Sequence, residues 1–159
     1  MWCRKIFRRR KRADALLTGG ELSAEFQVAK PVTLRARHDF VRGTNKGTDE
    51  PLPLMAPARS AFGVDFRSNP TWASSFFAGG EAEYVARQNR PNPDDFVTGS
   101  YTLLNFDIGV ERNFLGNGIR LEVGVRNAAD VRYRSFLSRY KEFALEPGRN
   151  IIIRISTGR

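Results

Sequence analysis

The stretch Gly99–Asn127, GSYTLLNFDIGVERNFLGNGIRLEVGVRN, decides the fold. Leu104, Phe106, Ile108 and Val110 alternate with Asn105, Asp107 and Glu111. After Asn113–Asn117 (NFLGN) the pattern resumes, with Ile119, Leu121, Val123 and Val125 set against Arg120, Glu122 and Arg126. Side chains of a strand point alternately to opposite faces, so each run predicts a strand with one apolar and one charged face. Gly116-Asn117-Gly118 is a turn signal. Two such runs joined by so short a connection predict an antiparallel hairpin.

The same period recurs in both directions from this hairpin. Glu21–Ala29 sets Leu22, Ala24, Phe26 and Val28 against Glu21, Ser23, Glu25 and Gln27. Val32–Phe40 sets Val32, Leu34, Ala36 and Phe40 against Thr33, Arg35, Arg37 and Asp39. Ala58–Arg67 opposes Phe62, Val64 and Phe66 to Arg59, Asp65 and Arg67. Trp72–Arg87 opposes Trp72, Phe76, Ala82 and Tyr84 to Glu81, Glu83 and Arg87. Asn150–Ser156 opposes Ile151, Ile153 and Ile155 to Ile152, Arg154 and Ser156. The expectation is an all-β chain, an antiparallel up-and-down meander of about seven long strands.

The connections alternate in length. Lys30–Pro31, Ser68–Thr71 and Asn113–Asn117 are short; Gly43–Pro57, Gln88–Gly99 and Asn127–Pro147 are long. Turns at one end and loops at the other are what a bacterial outer-membrane barrel shows. A soluble sandwich also alternates, but its strands run to ~5–6 residues. Trp72 and Tyr84 stand twelve residues apart on one face. That is ~40 Å of strand and, tilted by ~40°, ~30 Å of height, close to a membrane's apolar band with its girdles. The architecture expected is a partial membrane β-barrel. Its lipid-facing residues are Phe62, Val64, Trp72, Tyr84, Phe106, Ile108, Leu121 and Val123. Its lumen-facing residues are Arg35, Arg37, Asp65, Glu81, Glu83, Asp107, Arg120 and Glu122.

Composition narrows the function. With 159 residues there is room for one ordinary domain. One cysteine excludes a disulfide framework, and one histidine leaves His38 without partners for a metal cluster. No catalytic triad order, paired catalytic carboxylates, phosphate-cradling glycine loop or metal spacing is present, so neither enzyme chemistry nor a cofactor is expected. Asp94 and Asp95 lie in a Pro-rich connection and read as a solvated loop, with a cationic ligand as the sharper alternative. The net charge of +9 is concentrated in Arg4, Lys5, Arg8, Arg9, Arg10, Lys11 and Arg12; without these seven, 19 basic residues face 17 acidic ones. Residues 1–18 are therefore expected to be a basic, poorly structured segment ahead of a nearly neutral body. No apolar stretch follows the basic run, so no export signal is read in this chain.

Five segments, in order, resemble one family. Gly19–Phe26 (GGELSAEF), Leu52–Arg59 (LPLMAPAR), Gly99–Arg112 (GSYTLLNFDIGVER), Gly118–Asn127 (GIRLEVGVRN) and Tyr133–Asn150 (YRSFLSRYKEFALEPGRN) are similar to the last strands of TonB-dependent outer-membrane receptors. The elements matched are Tyr101–Asn105, Val125–Asn127, Leu137–Lys141 and Pro147–Asn150. The resemblance covers residues 13–159. It implies that residues 19–159 are the C-terminal portion of a barrel that, complete, has about 22 strands and a plug in its lumen. It implies a transporter of a scarce solute such as a siderophore or metal complex, located in the outer membrane. The partners implied are outer-membrane lipid, the remainder of the barrel and plug, and a TonB-type coupling protein acting through the full receptor, with no nucleic acid. The family usually ends in an aromatic residue; the matching position here is Arg159. The alternative reading is a soluble basic β protein that binds nucleic acid or anionic membrane through residues 4–12.

Overall fold

The computed structural model describes residues 14–68, 74–93, 95–114 and 117–158. They contain seven strands: β1 (Ala15–Ala29), β2 (Val32–Asn45), β3 (Arg59–Arg67), β4 (Ser74–Val85), β5 (Tyr101–Phe114), β6 (Asn117–Arg126) and β7 (Asn150–Gly158). They form a single antiparallel sheet in the order β1-β2-β3-β4-β5-β6-β7, each strand pairing with the next. No helix occurs among the described residues. The meander read from the alternation is the fold observed.

Two boundaries move furthest. β1 begins at Ala15, so residues 15–18, assigned from sequence to the basic segment, are strand. β2 runs on to Asn45, because Val41–Asn45 pairs with Ala15–Gly19 across a register that starts at Ala15↔Asn45. Neither stretch alternates; ALLTGG is held in the sheet by its partner rather than by its own pattern. Residues 1–13, Trp72, Asp94 and Arg159 lie outside the described residues, and with them the readings made on the basic run, the Trp72 girdle and the final residue.

The register sorts the side chains into two faces. Phe26, Leu34, Val64, Gly80, Phe106, Val125 and Ile151 stand in one row, and Val32, Phe66, Ala78, Ile108, Val123 and Ile153 in the next. Nothing among the described residues covers this face. Phe62 is 68% exposed, Ile108 62% and Ile155 73%. A soluble sandwich would close a second sheet over such a surface, since uncovered apolar patches beyond a few hundred Å2 are uncommon in water. The buried apolar residues lie elsewhere: Ala61, Phe77 and Val85 on the opposite face, and Phe136 in the last long connection. β1 and β7 each present one edge with no strand partner among the described residues.

Candidate functional site on the charged face and its loops

All eight residues expected to line a lumen, Arg35, Arg37, Asp65, Glu81, Glu83, Asp107, Arg120 and Glu122, fall on the face opposite the apolar rows. This face is concave, with a hollow of about 420 Å3 lined from Arg35 on β2 to Arg126 on β6. Of the eight residues expected to face lipid, seven share the apolar face, and Trp72 is outside the described residues.

Within the hollow, charges are paired across strands. Arg35 bonds Asp65, Arg37 reaches Glu81 at 3.1 Å, Arg59 reaches Asp39 at 3.1 Å, and Arg126 reaches Asp107 at 2.7 Å. A continuous chain then crosses four strands. Arg67 of β3 meets Glu111 of β5 at 3.0 Å; Arg120 of β6 meets Glu111 at 2.5 Å and Glu122 at 2.8 Å; Arg154 of β7 meets Glu122 at 2.7 Å. Seven arginines are thus neutralised by six carboxylates, which leaves a hydrated wall of nearly balanced charge. Solvent-exposed pairs of this kind contribute at most about 1 kcal/mol each, so the backbone ladders, not the pairs, hold the sheet.

Among the apolar side chains of this face, one sits within the ion-paired network. Phe77 is buried, with the Arg120 guanidinium 4.0 Å above its ring and that of Arg67 at 5.7 Å. It is paired with Gly109, where a Cβ would lie 2.3 Å from the Phe77 ring. Glycine is needed there for close approach, not for backbone freedom. Phe76 and Phe77 are adjacent, so alternation sends one to each face, and the strict apolar/polar reading hides the second.

The three long connections meet at one end of the sheet and are tied together. Asp95 is their hub, which corrects the reading of this position as solvated or open to a ligand. One of its carboxylate oxygens accepts the Leu54 N–H at 3.0 Å, and the other faces the Lys141 ammonium at 3.3 Å. Leu54 is left-handed (φ 57°), a conformation that costs a branched side chain about 1–2 kcal/mol and that the Asp95 bond helps to hold. Lys141 is buried, donates to the Phe136 carbonyl at 3.1 Å and lies 3.9 Å from the Phe136 ring. Asn92 donates to the Pro51 carbonyl at 2.8 Å, and Gln88 donates to that of Met55.

The last connection is organised by Asn127, which is buried with φ 49°. Its amide oxygen accepts the Val131 N–H at 2.8 Å, and its amide nitrogen donates to the carbonyls of Val131 and Pro147 at 2.9 and 3.4 Å. Tyr133 stacks against Tyr101 with ring centroids 4.4 Å apart. Burial, then the carboxylates of Glu146 and Glu83, raise the Tyr133 phenol above its ordinary value. His38 bonds the Ser60 hydroxyl through Nδ1 at 2.8 Å. No three His, Cys, Asp or Glu side chains come together as metal ligands among the described residues.

No family model and no curated protein matches the chain. Among solved structures it is similar to the copper transporter OprC, with a TM-score of 0.76 and 26% sequence identity. The match covers 90% of this chain and 23% of that one, so the chain spans about a quarter of the transporter's length.

Proposed function

We propose that this chain is a section of the wall of a TonB-dependent outer-membrane transporter, with its apolar face in lipid and its charged face toward a wide lumen. The observation that carries the reading is the two-faced single sheet: one face is continuously apolar and uncovered, the other concave and lined with ion pairs. The height of the apolar band supports it. On β5 the band is bounded by Thr102 above and Arg112 below, ten residues apart on one face. That is ~34 Å of strand and, at a tilt of ~40°, ~26 Å of height, against an apolar band of ~25 Å in membrane barrels. The upper boundary row, His38, Ser60, Tyr84 and Thr102, is amphipathic, as residues at a membrane interface are.

The long connections then stand outside the cell and the short turns face the periplasm. As part of the whole receptor, the charged wall offers a hydrated path, and the tied loops form one segment of the rim that captures a scarce solute. The likeness to a copper transporter favours a metal or metal complex as that solute. The edges of β1 and β7 require further strands, because unpaired backbone groups are costly in lipid. The remainder of the barrel, a plug and a coupling protein are the partners this reading requires.

Equilibrium folding of the chain into lipid vesicles tests the lipid face. Ile108→Arg is expected to cost about 2–4 kcal/mol near the bilayer midplane. Asp107→Arg, on the opposite face, is expected to cost less. Equal tolerance at the two positions contradicts the reading.

A further inference from the structure

Seven strand arginines of the charged face, Arg35, Arg37, Arg59, Arg67, Arg120, Arg126 and Arg154, are ion-paired, whereas others outside it, Arg112, Arg132 and Arg139 among them, have no ion pair among the described residues. Arg42, Arg87 and Arg90 form no side-chain hydrogen bond or ion pair among the described residues and are exposed. The three nevertheless line one hollow of about 360 Å3.

Its position follows from the register. Pairing of β2 with β3 stops at Asp39↔Arg59, while β2 continues to Asn45 against β1, its other edge being met again only by Glu50–Leu52 through the Thr44↔Pro51 bridge. This leaves a notch between the upper part of β2, the segment entering β3 and the segment leaving β4. The hollow occupies that notch. Its β2 lining takes His38, Phe40 and Arg42 from the apolar face and Val41 and Gly43 from the charged one, and no carboxylate lines it. Three unpaired guanidinium groups with no acid beside them favour an anion, and the planar fork of arginine suits phosphate oxygens in particular. The notch lies immediately above the His38–Ser60–Tyr84–Thr102 row, the level at which headgroups begin if the apolar face is in lipid. It is lined wholly by β2, the segment entering β3 and the segment leaving β4, so it does not depend on strands beyond β1 or β7.

We propose that this hollow binds the phosphate-bearing headgroup of a lipid in the leaflet that surrounds the long connections. The inference rests on the membrane reading above. A basic pocket at the interface recognises an anionic headgroup by charge while the acyl chains run down the adjoining apolar face. Phe40, 41% exposed, offers the first contact for those chains.

The test uses the full chain in a neutral detergent, with native mass spectrometry and titration against three probes. These are phosphatidic acid, the diacylglycerol with the same chains, and inorganic phosphate. Phosphatidic acid is expected to bind, and diacylglycerol and inorganic phosphate to bind far more weakly. The triple variant Arg42→Gln, Arg87→Gln, Arg90→Gln is expected to lose about a hundredfold in affinity for phosphatidic acid. Arg112→Gln, at the opposite end of the apolar face, keeps wild-type binding. Equal binding by the triple variant overturns the site, and equal binding of phosphatidic acid and inorganic phosphate overturns the lipid as its source. A fluorophore at Ile108→Cys, quenched by a lipid-borne quencher, separates the two levels. Quenching with no arginine dependence defeats this site and leaves the membrane reading standing; no quenching defeats both.

Discussion

Asn127→Ala isolates what orders the longest connection. The substitution removes the amide that accepts from Val131 N–H at 2.8 Å and donates to the Val131 and Pro147 carbonyls at 2.9 and 3.4 Å. At about 1 kcal/mol net per buried bond this amounts to roughly 3 kcal/mol. Alanine must also hold the left-handed backbone at φ 49°, which adds about 1 kcal/mol that asparagine largely avoids. The expected cost is therefore about 4 kcal/mol. Asn127→Gly keeps the backbone term small and loses only the bonds, about 3 kcal/mol. Asn127→Asp retains the acceptor for Val131 N–H but sets a buried carboxylate oxygen against the Val131 and Pro147 carbonyls, so it is expected to cost at least as much as Asn127→Gly. The reporter is the Glu146 amide, which donates to the Tyr133 carbonyl at 3.0 Å inside the connection. Its hydrogen-exchange protection should drop by two to three orders of magnitude in Asn127→Ala, at about 1.4 kcal/mol per tenfold, up to the protection the wild type has to lose. Amides in the middle of β5 should change little. Protection of Glu146 that stays within threefold of wild type refutes the role given to Asn127, and an equal loss in β5 refutes its confinement to the connection.

Gly109→Ala places a methyl group against the Phe77 ring and the Leu121 carbonyl, and is expected to destabilise by about 1–3 kcal/mol in denaturant titration, whereas Gly158→Ala, with open space around it, should be near neutral. Lys141→Met leaves Asp95 without its cation beside Leu54 and should raise protease cleavage in all three long connections together; cleavage confined to 127–149 would deny that Asp95 joins them. Because the folded Tyr133 phenol has a raised pKa, its buried neutral form supports the connection fully below its ordinary value of about 10. That support is lost as pH climbs from there through the raised value, so proteolysis of the connection should increase in alkali more for the wild type than for Tyr133→Phe, which keeps only the neighbouring Tyr101 phenol, itself raised by burial. A double-mutant cycle on Arg120→Gln and Glu122→Gln should give a coupling of about 1 kcal/mol or less, and a coupling of several kcal/mol would mean the charged wall is far less hydrated than its exposure indicates.

Period-two alternation was enough to read all seven strands and both faces, because a half-exposed strand writes its environment into every second residue. It could not reach Ala15–Gly20, where Leu16 and Leu17 are adjacent and Gly19 and Gly20 follow; that stretch is strand only because β2 lies beside it. The ties among the long connections were equally out of reach. Asp95 finds Leu54 41 residues upstream and Lys141 46 residues downstream, and no local pattern encodes either pairing. Leu137–Lys141 and Val125–Asn127, which carry the family resemblance, hold the residues that do this work, Lys141 and Asn127. The resemblance marked their positions, and the contacts became visible only with the chain folded. Phe77 was hidden for the opposite reason: it obeys the alternation of β4 and breaks the chemistry of its face.

If one face of this sheet meets lipid and the other water, a parity scan along β5 will show it. Single cysteines at positions 103 to 110, in a Cys3→Ser background, are labelled with an environment-sensitive fluorophore in vesicles carrying a lipid-borne quencher. A period of two is expected: strong quenching at Leu104, Phe106, Ile108 and Val110, weak quenching at Leu103, Asn105, Asp107 and Gly109. The deepest signal is expected near Phe106 and Ile108, midway between Thr102 and Arg112. Quenching without parity, or strongest at the odd positions, would contradict this arrangement.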